Sequence, residues 1–228
     1  MKLILTCEHG ECFIPENFQN YFENAQDVLN THRGYDLGAL DLFTALQPLA
    51  YFSKSSKVSR LLIELNRSLH HAKLFSEFSK NLTKLEKDNV IEHYYSLYRH
   101  DVESQIKKLI SANDTVLHIS VHSFTPILNS TERRCDIGLL FDSRIKKEKV
   151  YCTLLKKEIS RLYPDFNVRY NYPYLGKADG FTTYLRKQFP KNYIGVEFEL
   201  NQKFANNNKV PFNIKQVLYN AIESTIYS

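Results

Sequence analysis

Two histidines far apart in the chain, His9 and His122, each follow a run of apolar, β-prone residues, in Cys7-Glu8-His9-Gly10 and Val121-His122-Ser123-Phe124. Neutral imidazole binds divalent cations well, and a catalytic zinc takes three protein ligands with a further position left for water. A third ligand would most naturally be a carboxylate, and the sequence offers Asp36, Glu8 and Glu11. Glu197 and Glu199 alternate with Val196, Phe198 and Leu200, so both acids share one face of a strand whose other face is apolar. A carboxylate buried there needs a partner such as an arginine or a metal-bound water. Glu199, nearer the strand end, is the better-placed general base. Arg67, Arg133 and Arg186 are candidate anion binders, because the guanidinium fork matches a carboxylate. Arg67 follows Asn66 at the close of another expected strand, Arg133 sits in the polar segment 129–136, and Arg186 falls in an expected helix. His118 lies on the strand face of His122 but four residues deeper and reads as structural, while His70 and His71 read as surface residues. Cys7 and Cys12 have no second pair at matching spacing, which argues against a structural zinc site.

These residues act together only if the fold gathers them. Apolar, β-prone runs predict strands over 2–7 and 137–141, and alternating apolar residues predict strands over 60–65, 115–121 and 194–200. Three-to-four spacing predicts helices over 40–49, beginning near Asp36, over 88–111 and over 147–162, with a terminal helix opened by Pro211. Alternation of strands and helices predicts an α/β domain in which a mostly parallel sheet carries helices on both faces. Ligands of such sheets bind beyond the carboxyl ends of the strands. The candidates cluster there: Glu8 and His9, Asn66 and Arg67, His122 and Ser123, then Glu199. Gly10, Gly34 and Gly38 flank His9 and Asp36, Gly138 follows Asp136, and Gly176 and Gly180 bracket Asp179. Loops are expected over 53–59 and 206–209. Neither reads as a linker, so residues 1–228 read as one domain.

Composition narrows the classes. The 228 residues are 43% hydrophobic and 24% charged, enough apolar content for a sizeable core and against wholesale disorder. No apolar run reaches 18 residues, and the short N-terminal one is broken by Glu8 and His9, so it reads as a strand and neither as a span nor as a signal peptide. Four cysteines in a chain this long do not make a disulfide framework, and a reducing, cytoplasmic setting is expected. The net charge of +5 is spread along the chain, and the 15 tyrosines follow the helical and strand periods, which argues against a nucleic-acid surface.

Taken in order, the segments resemble the N-formylglutamate amidohydrolase family. The likeness is carried by Cys7-Glu8-His9-Gly10 with Ile14-Pro15, Tyr35-Asp36-Leu37-Gly38-Ala39, and Ser59-Arg60-Leu61 through Glu64-Leu65-Asn66-Arg67-Ser68. It continues through Val121-His122-Ser123-Phe124-Thr125-Pro126, Arg133 to Gly138, Asn171-Tyr172-Pro173-Tyr174 with Gly176, Asp179-Gly180, and Glu197 to Gln202. Each motif is short; their ordered combination is specific.

The resemblance implies a zinc carboxypeptidase-like fold, a mixed, mostly parallel sheet of about eight strands between helices, and hydrolysis of the amide bond of an N-acyl amino acid such as N-formylglutamate. It implies one zinc ion, or another divalent ion in its place, held by His9 and His122 with a carboxylate, for which Asp36 is the first candidate. The carboxypeptidases take their carboxylate ligand three residues after the first histidine, where this chain has Cys12, so Asp36 or Glu11 is left to fill the role. Glu199 would be the general base, and Arg67 would stabilise the oxyanion or hold a carboxylate. Asn66, Arg133, Ser123 and Tyr174 would contact substrate. The expected partner is a small N-acyl amino acid, with no nucleic acid or membrane, and the protein would be a monomer or weak homo-oligomer. Two rivals are a zinc peptidase or deacylase on another substrate, and a catalytically silent binding module.

Overall fold

The computed structural model describes residues 1–226. Its strands are, in chain order, β1 (Lys2–Cys7), β2 (Phe52–Ser55), β3 (Val116–Phe124), β4 (Ile127–Leu128), β5 (Thr131–Glu132), β6 (Ile137–Leu140), β7 (Val168–Tyr170) and β8 (Tyr193–Asn201). The helices are α1 (Gln26–Leu29), α2 (Ala39–Leu46), α3 (Lys84–Val90), α4 (Leu97–Ser111), α5 (Lys146–Leu162), α6 (Phe181–Gln188) and α7 (Phe212–Ile226). A π-helical stretch, Ile91–Ser96, joins α3 to α4. Among the described residues no helix is long and apolar enough to cross a membrane.

Six strands form one sheet in the order β2-β1-β3-β8-β6-β7, parallel throughout except where β6 runs against β8. The expected α/β class is what the chain adopts, with a smaller sheet than about eight strands. β4 and β5 form a separate antiparallel hairpin. A second correction concerns 60–65, which is not a strand. Leu61, Ile63 and Leu65 do alternate, but Leu62 and Glu64 between them are buried as well. The segment turns on itself, with the Leu62 and Ile63 amides bonding back to Ser59 O, and buries its side chains without joining the sheet. Conversely, β2 lies partly inside the expected loop over 53–59.

Helices on both sides explain why all nine residues of β3 are buried although apolar and polar types alternate along it. One face packs Leu3, Leu5, Leu117, Ile119, Val121, Val196, Phe198 and Leu200 with apolar residues of α2, α5 and α7. The other begins apolar, with Ile4, Val116 and Tyr193 in the core beneath α4 and α6. It then turns polar toward the carboxyl ends, through Thr6, His118, Ser120 and Glu197 to His122 and Glu199. Parallel register sets Thr6, Ser120 and Glu197 in one row across the sheet, and pairs His122 with Glu199 in the next.

Candidate active site

His9 and Asp36 are joined before their side chains meet, because the Asp36 amide donates to His9 O at 2.9 Å. Gly38 then adopts φ 79°, a left-handed conformation open to glycine, and caps α2, so the chain leaves Asp36 in a tight turn. His122 arrives from β3. The two imidazole centroids lie 4.9 Å apart, and both rings turn Nδ1 toward one oxygen, Asp36 Oδ2, at 3.3 Å from His9 and 2.9 Å from His122. Among the described residues these three form the group with ligand atoms mutually within 4.8 Å, all of them buried.

Each imidazole has a second acid behind it. His9 Nε2 meets Glu64 Oε1 in a short contact, and His122 Nε2 lies 3.2 Å from Glu8 Oε2 and 2.8 Å from Ser120 Oγ. Arg60 spans the acids, donating from Nη1 to Asp36 Oδ1 at 3.0 Å and from Nη2 to Glu64 Oε2 at 2.6 Å. Burial would raise the carboxyl pKa of Asp36, but the charge of His9 and hydrogen bonds from both histidines outweigh it and hold it well below the usual range. Burial likewise opposes ionisation of Glu8, and hydrogen bonding to His122 brings it down to about 2. Both histidines are shifted up despite burial, His9 by Glu64 and Asp36, His122 by Asp36 and Glu8. The pocket therefore calls for positive charge between the rings.

That donor set suits a divalent metal. Two nitrogens and one carboxylate oxygen are a common catalytic zinc set, and their 2.9 and 3.3 Å separations approach the roughly 3.3 Å edge of a tetrahedron with metal bonds of about 2.0 Å. A carboxylate behind each ring is the usual outer support of metal-ligating histidine, fixing its tautomer and orientation. Glu8 takes that outer position behind His122, and Glu11 is not in the group.

A cavity of about 300 Å³ opens beside the three residues, walled also by Arg60, Asn66, Arg67, Ser123, Tyr174, Asp179, Glu197 and Glu199. Glu199 Oε2 is the one buried side-chain polar atom among the described residues with no hydrogen-bond partner. Burial, with the charges of Asp36 and Glu197 and against that of His122, pushes its carboxyl up to about 7. Glu197 is occupied, accepting from Thr182 Oγ1 at 2.8 Å. Gly180 keeps the wall thin there, since a Cβ would lie 2.9 Å from Glu197 Oε1.

The other expected contacts divide. Asn66 and Arg67 reach the cavity from a turn and not from a strand end, with Asn66 Oδ1 accepting from the Phe181 amide at 2.7 Å and Arg67 Nη1 donating to Asp179 O. Ser123 lines the cavity, but its hydroxyl is committed to Leu37 O at 2.7 Å. Tyr174 forms part of the rim. Arg133 stands behind it, its guanidinium 3.4 Å from Tyr174 Oη and outside the cavity lining. Arg186 is a buried partner of Glu148 at 2.7 Å and ties α6 to α5. His118 is held between Thr6 and Tyr193, Cys7 is in the apolar core, and Cys12 bonds to Asn30. Arg60 and Glu64 do not stand out by residue type. Their i, i+4 spacing beside Asn66-Arg67 is the signal that the sequence holds for them.

The sequence matches the family model described as N-formylglutamate amidohydrolase over residues 1–205. The chain belongs to the N-formylglutamate amidohydrolase family. It is thus grouped with enzymes whose substrates are small amides. A search of curated proteins finds no match. Among solved structures, a gene product of Agrobacterium tumefaciens superposes with a TM-score of 0.80 at 22% identity, over 100% of this chain and 92% of the other. An N-formylglutamate amidohydrolase from Ralstonia eutropha superposes at 0.73 with 15% identity, over 99% of this chain and 93% of that one. At such identities these likenesses speak for the fold. A metallo-carboxypeptidase from Burkholderia cenocepacia aligns at a TM-score of 0.40 and 10% identity, too remote to bear on chemistry.

Proposed function

We propose that this chain, as one catalytic domain over residues 1–228, is a metal-dependent amidohydrolase that cleaves the amide bond of an N-acyl amino acid such as N-formylglutamate. The observation that carries the proposal is the orphaned, buried Glu199 Oε2 in the wall of the cavity that the His9, Asp36 and His122 group also lines. His9 Nδ1, His122 Nδ1 and Asp36 Oδ2 would hold one zinc ion. When bound, zinc supplies a Lewis acid and makes water a nucleophile near neutral pH.

The remaining chemistry belongs to the chain's own groups. Glu199 Oε2, free of any donor, accepts the proton of the attacking water and returns it to the leaving amine nitrogen as the C–N bond breaks. A carboxyl titrating near neutrality is suited to both halves of that transfer. Asn66 and Arg67 face the cavity as hydrogen-bond donors for the substrate's carboxylate or for the developing oxyanion. Tyr174 and Ser123 line the space for the rest of the substrate, with Arg133 poised behind Tyr174 as a second cation. The four cysteines are free, in keeping with a reducing, cytoplasmic setting.

Metal content of the purified protein, measured beside turnover of N-formyl-L-glutamate and a panel of N-acyl amino acids, tests this reading. Stoichiometric divalent metal and turnover abolished by a chelator are expected. Turnover of peptides or acylated amines in preference to the panel would favour the peptidase or deacylase reading. Stoichiometric metal with no hydrolysis of any of them would favour a silent binding module.

A further inference from the structure

Asn66 and Arg67 reach the cavity from an irregular turn, and irregular backbone needs an external frame to hold side chains in place. The frame comes from the helix that runs across the π-helical stretch. Arg99 Nη1 donates to Leu65 O and to Arg67 O, each at 3.1 Å, so one guanidinium grips the backbone on both sides of Asn66. Tyr95 donates from its hydroxyl to the same Arg67 carbonyl at 2.7 Å. Arg99 is only 6% exposed, and its guanidinium carbon lies 4.8, 4.3 and 4.6 Å from the ring centroids of Tyr95, Phe181 and Tyr184. Its hydrogen bonds go to those two carbonyls, and among the described residues no carboxylate hydrogen-bonds to it. A buried cation is costly unless its neighbours compensate, and at contact distance this one is compensated by rings and carbonyls, with the charges of Glu8 and Asp179 adding from farther off. Phe181 acts twice, since its amide holds the Asn66 side chain and its ring packs on Arg99. The π turn widens the helix immediately before this point, and such turns often mark functional sites.

We infer that Arg99, aided by Tyr95, is a positioning residue that fixes the Asn66-Arg67 turn and so sets where these two side chains meet the substrate's anionic group. The inference rests on the function proposed above, in which Asn66 and Arg67 contact substrate. Arg99 itself touches no substrate, because its guanidinium is walled from the cavity by the turn it holds.

The test compares Tyr95→Phe, Arg99→Lys and Arg99→Met with wild type in the metal-loaded protein. KM for N-formyl-L-glutamate should rise about threefold in Tyr95→Phe and about tenfold or more in Arg99→Met, with Arg99→Lys between them, as expected for loss of one and of several hydrogen bonds. Metal content should be unchanged and kcat should move less than KM. An Arg67→Met, Arg99→Met double variant should raise KM by less than the product of the two single effects, because part of the Arg99 effect acts through Arg67. Amide hydrogen exchange over residues 64–68 should quicken in Arg99→Met and, less so, in Tyr95→Phe, while α5 exchanges as before. Unmoved KM in folded, metal-loaded Tyr95→Phe and Arg99→Lys, or independent effects in the double variant, would overturn the inference. Should Arg99→Met fail to fold, those two milder variants decide the matter. Wild type that hydrolyses no N-acyl amino acid refutes the function itself. Exchange over 64–68 in Tyr95→Phe and Arg99→Lys then decides the clamp, with quickening in its favour and unchanged exchange against it.

Discussion

Phe198 and Glu199 are neighbours on β8, both nearly inaccessible, and their side chains leave the sheet on opposite sides. Phe198 enters a face made of leucine, isoleucine and valine, where burial supplies the hydrophobic free energy that holds the sheet to α2, α5 and α7. Glu199 enters the face that turns polar toward the strand ends, where burial of its carboxyl is unfavourable and one oxygen has no partner. Equal burial thus has opposite energetic meanings on the two sides. The first face stabilises the domain. The second carries His122 and Glu199 on its strands and meets Glu8, His9, Asp36 and Glu64 from the segments beyond the strand ends, a buried gathering of acids and imidazoles that stabilisation alone does not select. Both faces come from the same strands, because side-chain direction alternates along each one.

Four experiments sharpen or break that contrast. Glu199→Gln should lower kcat by roughly 10²- to 10⁴-fold, the range for removing a general base, while retaining metal and melting no lower than wild type. A large loss of stability in that variant would show that the acid is structural and that the contrast fails. Phe198→Ala should do the reverse, costing about 3–5 kcal/mol in chemical denaturation for a large core side chain while the folded fraction keeps near-normal turnover. Collapse of kcat in that folded fraction would tie the apolar face to the chemistry.

The third experiment uses His118, at the border between the apolar and polar parts of the site face. Burial leads in depressing its imidazole to about 4, with Arg186 and His122 adding to the effect and Glu8 opposing it. Thr6 and Tyr193 face it with hydroxyls, and Phe181 packs on its edge. The folded state therefore holds His118 neutral while the unfolded chain protonates near 6.5, so stability from this residue is lost as pH falls from about 6.5 to about 4. The loss approaches about 3 kcal/mol. Denaturation of wild type and His118→Gln at several pH values checks this, and the wild-type advantage at pH 7 should shrink toward pH 4. A gap independent of pH would mean that His118 titrates normally. The smallest effect is expected from Thr6→Val, which removes the 2.8 Å contact to His118 Nε2 and should cost about 1 kcal/mol without changing kcat. A change in kcat there would extend the reacting site deeper into the sheet.

Much of the fold can be read from periodicity. The apolar run of β1, the alternation in β3 and β8 and the stripe Ile91, Tyr95, Tyr98, Val102, Ile106 and Leu109 mark elements whose apolar sides are buried or half-buried as expected. Residues 60–65 depart from expectation because an alternating pattern implies one buried face, whereas both sides of that segment are enclosed. β2 is hard to see because Phe52-Ser53-Lys54-Ser55 has little apolar content and pairs along one edge of the sheet. At the candidate site, His9 and His122 stand out because each follows a strand. The choice among Asp36, Glu8 and Glu11 stays open in the sequence because spacing along the chain carries no distance across the fold. Arg60 and Glu64 are legible only as part of a motif, since nothing in their residue types says that they brace His9.

What the sequence determined by itself is therefore local. It set which side chains alternate along a strand, which residues follow its carboxyl end, and which ordered motifs link the chain to its family. Tertiary structure decided which acid meets both imidazoles, which acids stand behind them, and which arginine holds the turn of Asn66 and Arg67. The reason is physical. Strand direction follows from backbone geometry at each residue, whereas contact between residues 9, 36, 64 and 122 requires parallel pairing and loop closure over long stretches of chain, which local pattern does not encode.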